Sequence, residues 1–133
     1  LGDGGYASTT RANPGAAGWV NWYFVATNNT DGTRTVIGGG GFKGPPTPEG
    51  SVEIGYSLLE AYHGKGYASE AVRGLIGWAL GHPEVRRVVA ETFPDLTASI
   101  RLLERCGFRL TGPGSEEGTI LFDLPRETFA TLT

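Results

Sequence analysis

One cysteine (Cys106), two histidines (His63 and His82) and no methionine occur among the 133 residues. A single cysteine allows no disulfide within the chain, and with two histidines it cannot complete a Cys/His zinc cage, so no metal is expected and a reducing cytoplasm fits best. Positive charge is scarce as well. Eleven Lys plus Arg against fourteen Asp plus Glu leave a net charge of -3, without the positive field that phosphate-backbone binding requires, so nucleic acid is not an expected partner. No apolar run approaches the ~20 residues that cross a bilayer, and the first residues are glycine-rich and polar rather than signal-like, so no membrane association is expected. The chain starts at Leu1 without any methionine, which leads to the expectation that N-terminal material has been removed, disordered or trimmed.

What is present is glycine, 22 residues of it, and a 39% hydrophobic fraction suited to one core. The glycines cluster at Gly2 to Gly5, Gly38 to Gly44 and around Gly64 and Gly66, a pattern of turns and close backbone approaches rather than of general disorder. Residues 1 to 18 lack an apolar period and read as a loose arm, leaving residues 19 to 133 as one domain. Trp19 to Thr27 is a strand by its aromatic and branched content. Asn28 to Gly32 closes it, and Thr33 to Phe42 returns as its hairpin partner. Val52, Ile54, Tyr56 and Leu58 alternate with Glu53, Gly55 and Ser57, the period of a two-faced strand.

From Tyr67 the period changes. Ala68, Ala71, Val72, Leu75, Ile76 and Ala79 form one helical stripe that Gly81 and Pro83 end. Val85 to Phe93 reads as a strand, Thr97 to Cys106 as a helix stopped by Gly107, and Phe108 to Thr111 and Thr119 to Leu124 as two closing strands. This order gives a mixed α/β (α+β) sheet with packed helices.

Several strings carry no chemistry. Gly39-x-Gly41-x-x-Gly44 matches a dinucleotide fingerprint, but Pro45, Pro46 and Pro48 follow where a helix should open. Asn28-Asn29-Thr30 reads as a hairpin turn rather than a glycosylation site. The segment from His63 through Gly64, Lys65, Gly66 and Tyr67 to Ala68 differs, because it joins a strand to a well-formed helix. Helix-start N–H groups without intrahelical partners, two glycines that let a ligand approach, and roughly half a positive charge from the helix dipole together make an anion site.

The stretch Val52 to Val72, followed by Ala90 to Phe108, closely resembles the GNAT superfamily of acyl-CoA-dependent N-acyltransferases, in particular its RimJ/RimL-like branch. The likeness covers about residues 19 to 124. It implies a mostly antiparallel sheet with a V-shaped splay between two central parallel strands and helices on both faces. It implies a CoA site formed by Tyr56, Ser57 and Leu58 of the strand, His63, Gly64, Lys65, Gly66, Tyr67 and Ala68 of the loop and helix start, and Ser99 of the second helix. His63 replaces the family's usual Gln or Arg, Leu96 its usual Asn, and Leu103 a tyrosine that many relatives use as general acid, which leaves Ser99 as the candidate near the sulfur.

The implied reaction is acetyl transfer from acetyl-CoA to a primary amine by direct attack in a ternary complex. Neutralising an α-amine of pKa near 8 at pH 7 costs only about 1.4 kcal/mol, and a lysine amine about 4.6 kcal/mol. A modest base therefore suffices, and Glu53 and Glu91 are the candidates, either of which could act through a water. Two alternatives stay open, a non-catalytic acyl-CoA-binding module and transfer of another acyl group such as succinyl. Family members carry a further strand and helices before the strand at Trp19. Their expected absence would leave Trp19, Trp22, Tyr23 and Phe24 uncovered, which points to a homodimer or a separate N-terminal segment over that face.

Overall fold

The computed structural model describes residues 6–11, 19, 22–28, 30–58 and 66–132. Seven strands form one sheet: β1 (Tyr6–Arg11), β2 (Trp22–Asn28), β3 (Arg34–Phe42), β4 (Ser51–Leu58), β5 (Arg87–Thr92), β6 (Arg109–Pro113) and β7 (Ile120–Pro125), in the spatial order β1-β2-β3-β4-β5-β7-β6. Helix α1 (Tyr67–Leu80) links β4 to β5, α2 (Thr97–Arg105) links β5 to β6, and α3 (Arg126–Leu132) follows β7. Every pairing is antiparallel except β4 with β5. Among the described residues no helix is long and apolar enough to cross a membrane.

Tyr6–Arg11 corrects the expectation of a loose arm over residues 1 to 18 and of a missing N-terminal strand, since Tyr6 to Arg11 pair with Asn28 to Tyr23 along one edge of β2. Polar β-formers such as Thr9 and Thr10 can join a ladder without any apolar period, and that is why composition alone failed to reveal the strand.

Alternation puts the core on one face. Trp22 and Phe24, Val52 and Ile54, Val88 and Ala90, and Phe122 and Leu124 are all buried, and they meet Val72, Leu75, Ile76 and Ala79 of α1 and Leu102 and Leu103 of α2. Each such side chain contributes roughly 1.5–3 kcal/mol on burial. Helices were expected on both faces; among the described residues α1 and α2 cover the core face. The other face carries Tyr23, Gly39, Lys43, Glu53, Gly55 and Ser57 by the same period.

The aromatic crowding near the chain start also has a different outcome from the one expected. Trp22 and Phe24 are buried, and Trp19 is half-buried. Trp19 packs edge-on against Phe42 at 5.5 Å and Trp78 at 4.7 Å, and Trp22 against Trp78 at 5.2 Å. Such pairs add roughly 0.5–1.5 kcal/mol beyond area burial. Only Tyr23 of the four is exposed, so the bare aromatic face that suggested a homodimer or covering segment is instead part of the core.

Candidate active site

The parallel pair defines the site. β4 and β5 hold register only from Ser51↔Arg87 through Glu53↔Val89. Beyond that point the strands part, so the remaining residues of β4 turn one line of backbone groups toward a gap rather than toward a neighbouring strand. This gap is the V-shaped splay, and it opens into a cleft of about 930 Å³.

The cleft passes through the sheet. On the helical side it is lined by Gly66, Ala68 and Ser69 of α1 and by Ser99, Arg101 and Arg105 of α2; on the other side stand Lys43, Glu53 and Glu91. Tyr56, Ser57, Ala90 and Thr92 line the passage between the two.

On the helical side, Gly66 caps α1 in the left-handed region at φ 84°, a conformation that costs an L side chain roughly 1 kcal/mol or more. The position a Cβ would occupy at Gly66 is open, with nothing within 4 Å. The first intrahelical bond runs from the Glu70 N–H to the Gly66 carbonyl at 3.2 Å, so the N–H groups of Ala68 and Ser69 precede the helical ladder and face the anion side of the cleft. Helix α2 likewise starts at Leu96 without a side-chain cap. Arg105 donates to Ser69 Oγ at 3.4 Å and receives Arg73 on its carbonyl at 2.9 Å, tying the two helices together. A phosphate-bearing ligand fits this donor set by its charge, and the freed edge of β4 suits an amide-bearing arm.

Within the passage, Tyr56 Oη lies 3.5 Å from Ser99 Oγ. Burial pushes the Tyr56 hydroxyl above its ordinary pKa, with Ser99 working in the opposite direction, so it is a neutral donor at physiological pH. Leu103 is fully buried in the core. A tyrosine hydroxyl therefore reaches the site from β4, although α2 supplies none.

On the far side, Lys43 follows β3 directly opposite Glu53, and its Nζ is 3.0 Å from Glu53 Oε2. The hydrogen bond and charge of Glu53 raise the Lys43 pKa. The Glu53 side chain is 22% exposed, reachable by a ligand and not buried. Lys43 also stands 4.0 Å from Glu116 Oε2.

Glu91 has a different environment from Glu53. Its carboxylate accepts from Ser115 Oγ at 2.7 Å, Ser115 N at 3.1 Å and Glu116 N at 3.4 Å. Thr119 Oγ1 lies 2.9 Å from the same carboxylate and 2.7 Å from the Glu116 carbonyl. Hydrogen bonding to Ser115, first through its hydroxyl, holds the Glu91 carboxyl below the usual carboxylate range despite some desolvation.

The structure thus brings Glu53, Tyr56, Ser57, Gly66, Ala68, Glu91 and Ser99 to one cleft. Tyr67 is buried at the start of α1 with its side chain in the core, so only its backbone can serve the site. Leu58 ends β4 opposite Gly38. His63, Gly64 and Lys65 lie outside the described residues. Lys43, Ser115 and Thr119 were not found from the sequence. Lys43 could have been found from hairpin register, but Ser115 and Thr119 meet Glu91 across more than twenty residues and leave no local signal.

Residues 6–109 match the family model described as Acetyltransferase (GNAT) domain. Among curated proteins, the chain is 36% identical over 104 residues to the uncharacterized N-acetyltransferase YjdG of Bacillus subtilis (strain 168), covering 78% of this chain and 60% of that protein. It is 37% identical over 95 residues to the uncharacterized N-acetyltransferase p20 of Bacillus licheniformis, covering 71% and 52%. The chain therefore spans little more than half the length of these relatives. Its fold is similar to that of the ribosomal-protein-S5-alanine acetyltransferase from Vibrio fischeri, with a TM-score of 0.67 at 24% identity over 83% of this chain and 64% of that one. It is also similar to aminoglycoside acetyltransferase AAC(6')-Ib in complex with coenzyme A, with a TM-score of 0.68 at 22% identity over 86% and 72%. With the splayed parallel strands and a family match over residues 6–109, the chain belongs to the GNAT acetyltransferase family.

Proposed function

We propose that this chain transfers the acetyl group of acetyl-CoA to a primary amine, a protein N-terminus or a small molecule, as the RimJ/RimL-like resemblance implies. The carrying observation is the two-mouthed cleft, with helix-start N–H groups at one mouth and an accessible carboxylate at the other. The start of α1 holds the pyrophosphate, and the freed edge of β4 from Gly55 to Ser57 receives the pantetheine amides.

The amine enters from the Lys43 side. Glu53 takes its proton, directly or through a water, and the amine nitrogen then attacks the thioester carbonyl. A backbone N–H of β4 at Gly55 or Tyr56 meets the developing oxyanion. When the C–S bond breaks, the Tyr56 and Ser99 hydroxyls face the leaving thiolate, Tyr56 Oη gives it a proton, and the second proton of the acylated nitrogen, lost through water, restores the Tyr56 hydroxyl. A thiol with an ordinary pKa near 8.5 leaves readily, so this donation aids turnover without being essential. Much of the acceleration comes from holding both reactants across one passage.

The test is release of free CoA thiol from acetyl-CoA with a panel of primary amines. Glu53→Gln is expected to lower kcat/KM about 100-fold, within the usual range for a lost general base, and to remove the acid limb of its pH profile. CoA binding by calorimetry without turnover of any amine would instead favour an acyl-CoA-binding module. Faster turnover with succinyl-CoA would overturn the acetyl preference.

A further inference from the structure

The loop between β6 and β7 meets the carboxylate side of the cleft through backbone N–H groups and side chains alike, and these contacts run through Glu91 and Lys43. Glu91 gathers Ser115 N, Ser115 Oγ, Glu116 N and Thr119 Oγ1. Glu116 then approaches Lys43, whose ammonium grips Glu53. A continuous polar chain therefore runs from β5 through the loop to the carboxylate of β4, bridging on the far face the gap that opens beyond the Glu53↔Val89 pair.

We infer that Glu91 is a positioning residue and not a proton acceptor: it anchors the β6–β7 loop, and the loop, through Glu116 and Lys43, fixes Glu53 at the mouth where the amine enters. The chemistry of the two carboxylates separates the roles. Both Glu91 oxygens already accept hydrogen bonds from the loop, and protonating either one would turn an acceptor toward these donors into a competing donor. Glu53 is held by Lys43 at 3.0 Å through Oε2 and stays 22% exposed, so its carboxylate remains reachable by an incoming ammonium. Anchoring also has a steric side, since Gly114 passes so close to Glu91 that a Cβ there would lie 2.6 Å from Glu91 Oε1, with the Gly114 N–H bonded to the Thr119 carbonyl at 2.9 Å. The loop is thereby closed on itself before Glu91 clamps it, and it acts as one rigid wall of the acceptor mouth.

This inference rests on the acyltransferase reading for its kinetic part and on the hydrogen bonds alone for its structural part, so the experiment has two arms. In the first, amide hydrogen exchange of the full chain is compared with that of Glu91→Ala and of the milder Ser115→Ala. Exchange at Ser115 and Glu116 should accelerate about tenfold or more in Glu91→Ala, as expected for the loss of several hydrogen bonds to one charged group. CoA affinity by calorimetry should stay within about twofold, because the helical mouth is untouched. In the second arm, the KM of the amine that the wild type acetylates best should rise about tenfold in both variants, with kcat and the acid limb of the pH profile retained.

Unchanged exchange in Glu91→Ala would overturn the anchor. Loss of the acid limb in Glu91→Ala, with Glu53→Gln retaining it, would make Glu91 the base and overturn the assignment of roles. Altered exchange with an unchanged acceptor KM would overturn the role of the loop as acceptor wall. If exchange responds while the wild type acetylates no amine, the anchor stands and the acyltransferase reading is the one that fails.

Discussion

Glu53 and Glu91 are the same residue type, on the same face of the adjacent strands β4 and β5, and their surroundings differ. A carboxylate that accepts hydrogen bonds in its charged form is harder to protonate. Glu91 therefore contributes stability that is present above the unfolded carboxylate pKa and is lost as the pH falls through its lowered folded value. At pH 7 Glu91→Gln should unfold at a lower urea concentration than the wild type. As the pH drops below the ordinary carboxylate range the two midpoints should converge, because protonated glutamate and glutamine then present similar groups. A gap that stays constant from pH 7 to below the carboxylate range would contradict the ionic character of the Glu91 contacts.

At the scale of single elements, glycine in β3 is a spacing device. Gly40 sits between Trp22 and Tyr56 in the ladder, and a Cβ there would lie 2.5 Å from the Gly55 carbonyl oxygen and 3.0 Å from Tyr56 Cα. Backbone cannot yield as a side chain can, so Gly40→Ala should cost about 1–3 kcal/mol, the range for overpacking. Gly55 is the control: a Cβ there meets nothing within 4 Å, and Gly55→Ala should stay within about 0.5 kcal/mol of the wild type. Equal urea midpoints for the two variants would refute this account of the β3–β4 contact. The sequence was legible where period and punctuation agreed. The stripe from Ala68 to Ala79 predicts α1 and its Gly81 end, and the alternation of Val52 to Leu58 predicts β4 with its inward and outward faces. It was illegible where the partner is distant. Strand β1 exists because β2 has a free edge, and helix α3 because Arg126 reaches the Val85 carbonyl at 2.9 Å and the His82 carbonyl at 2.7 Å. Ile37 is the extra residue of a β-bulge, where Phe24 faces Gly38 and Val25 faces Val36, and no local pattern marks it. At the site, the anion-binding helix start was legible in Gly66 to Ala68, whereas the Tyr56–Ser99 contact and the Glu91 anchor join residues more than twenty positions apart.

For the molecule as a whole, the proposed reading of the cleft predicts a kinetic order. The lining runs from α1 and α2 on one side to Lys43 and Glu53 on the other, so in the proposed reaction the thioester and the amine would approach from opposite sides and be bound together. A double-displacement route would need a nucleophile in the passage with a base beside it. Cys106, the one cysteine, is 1% exposed in the core, and burial raises its thiol pKa even though Arg73 and Arg105 act against the shift, which disfavours the thiolate that would attack. Ser99 has a tyrosine hydroxyl near it, which is a donor and not a base. Direct attack is thus the route this arrangement supports. Initial velocities measured with both substrates varied should give double-reciprocal lines that intersect, and intact-protein mass spectrometry after incubation with acetyl-CoA alone should show no stoichiometric acetyl adduct. Parallel lines, together with an acetyl group on Ser99 or Cys106 that an added amine discharges, would establish the double-displacement route instead. Labelling of Cys106 by a thiol reagent gives an independent check on its burial: it should be slow in the folded protein and become complete only once urea passes the unfolding midpoint.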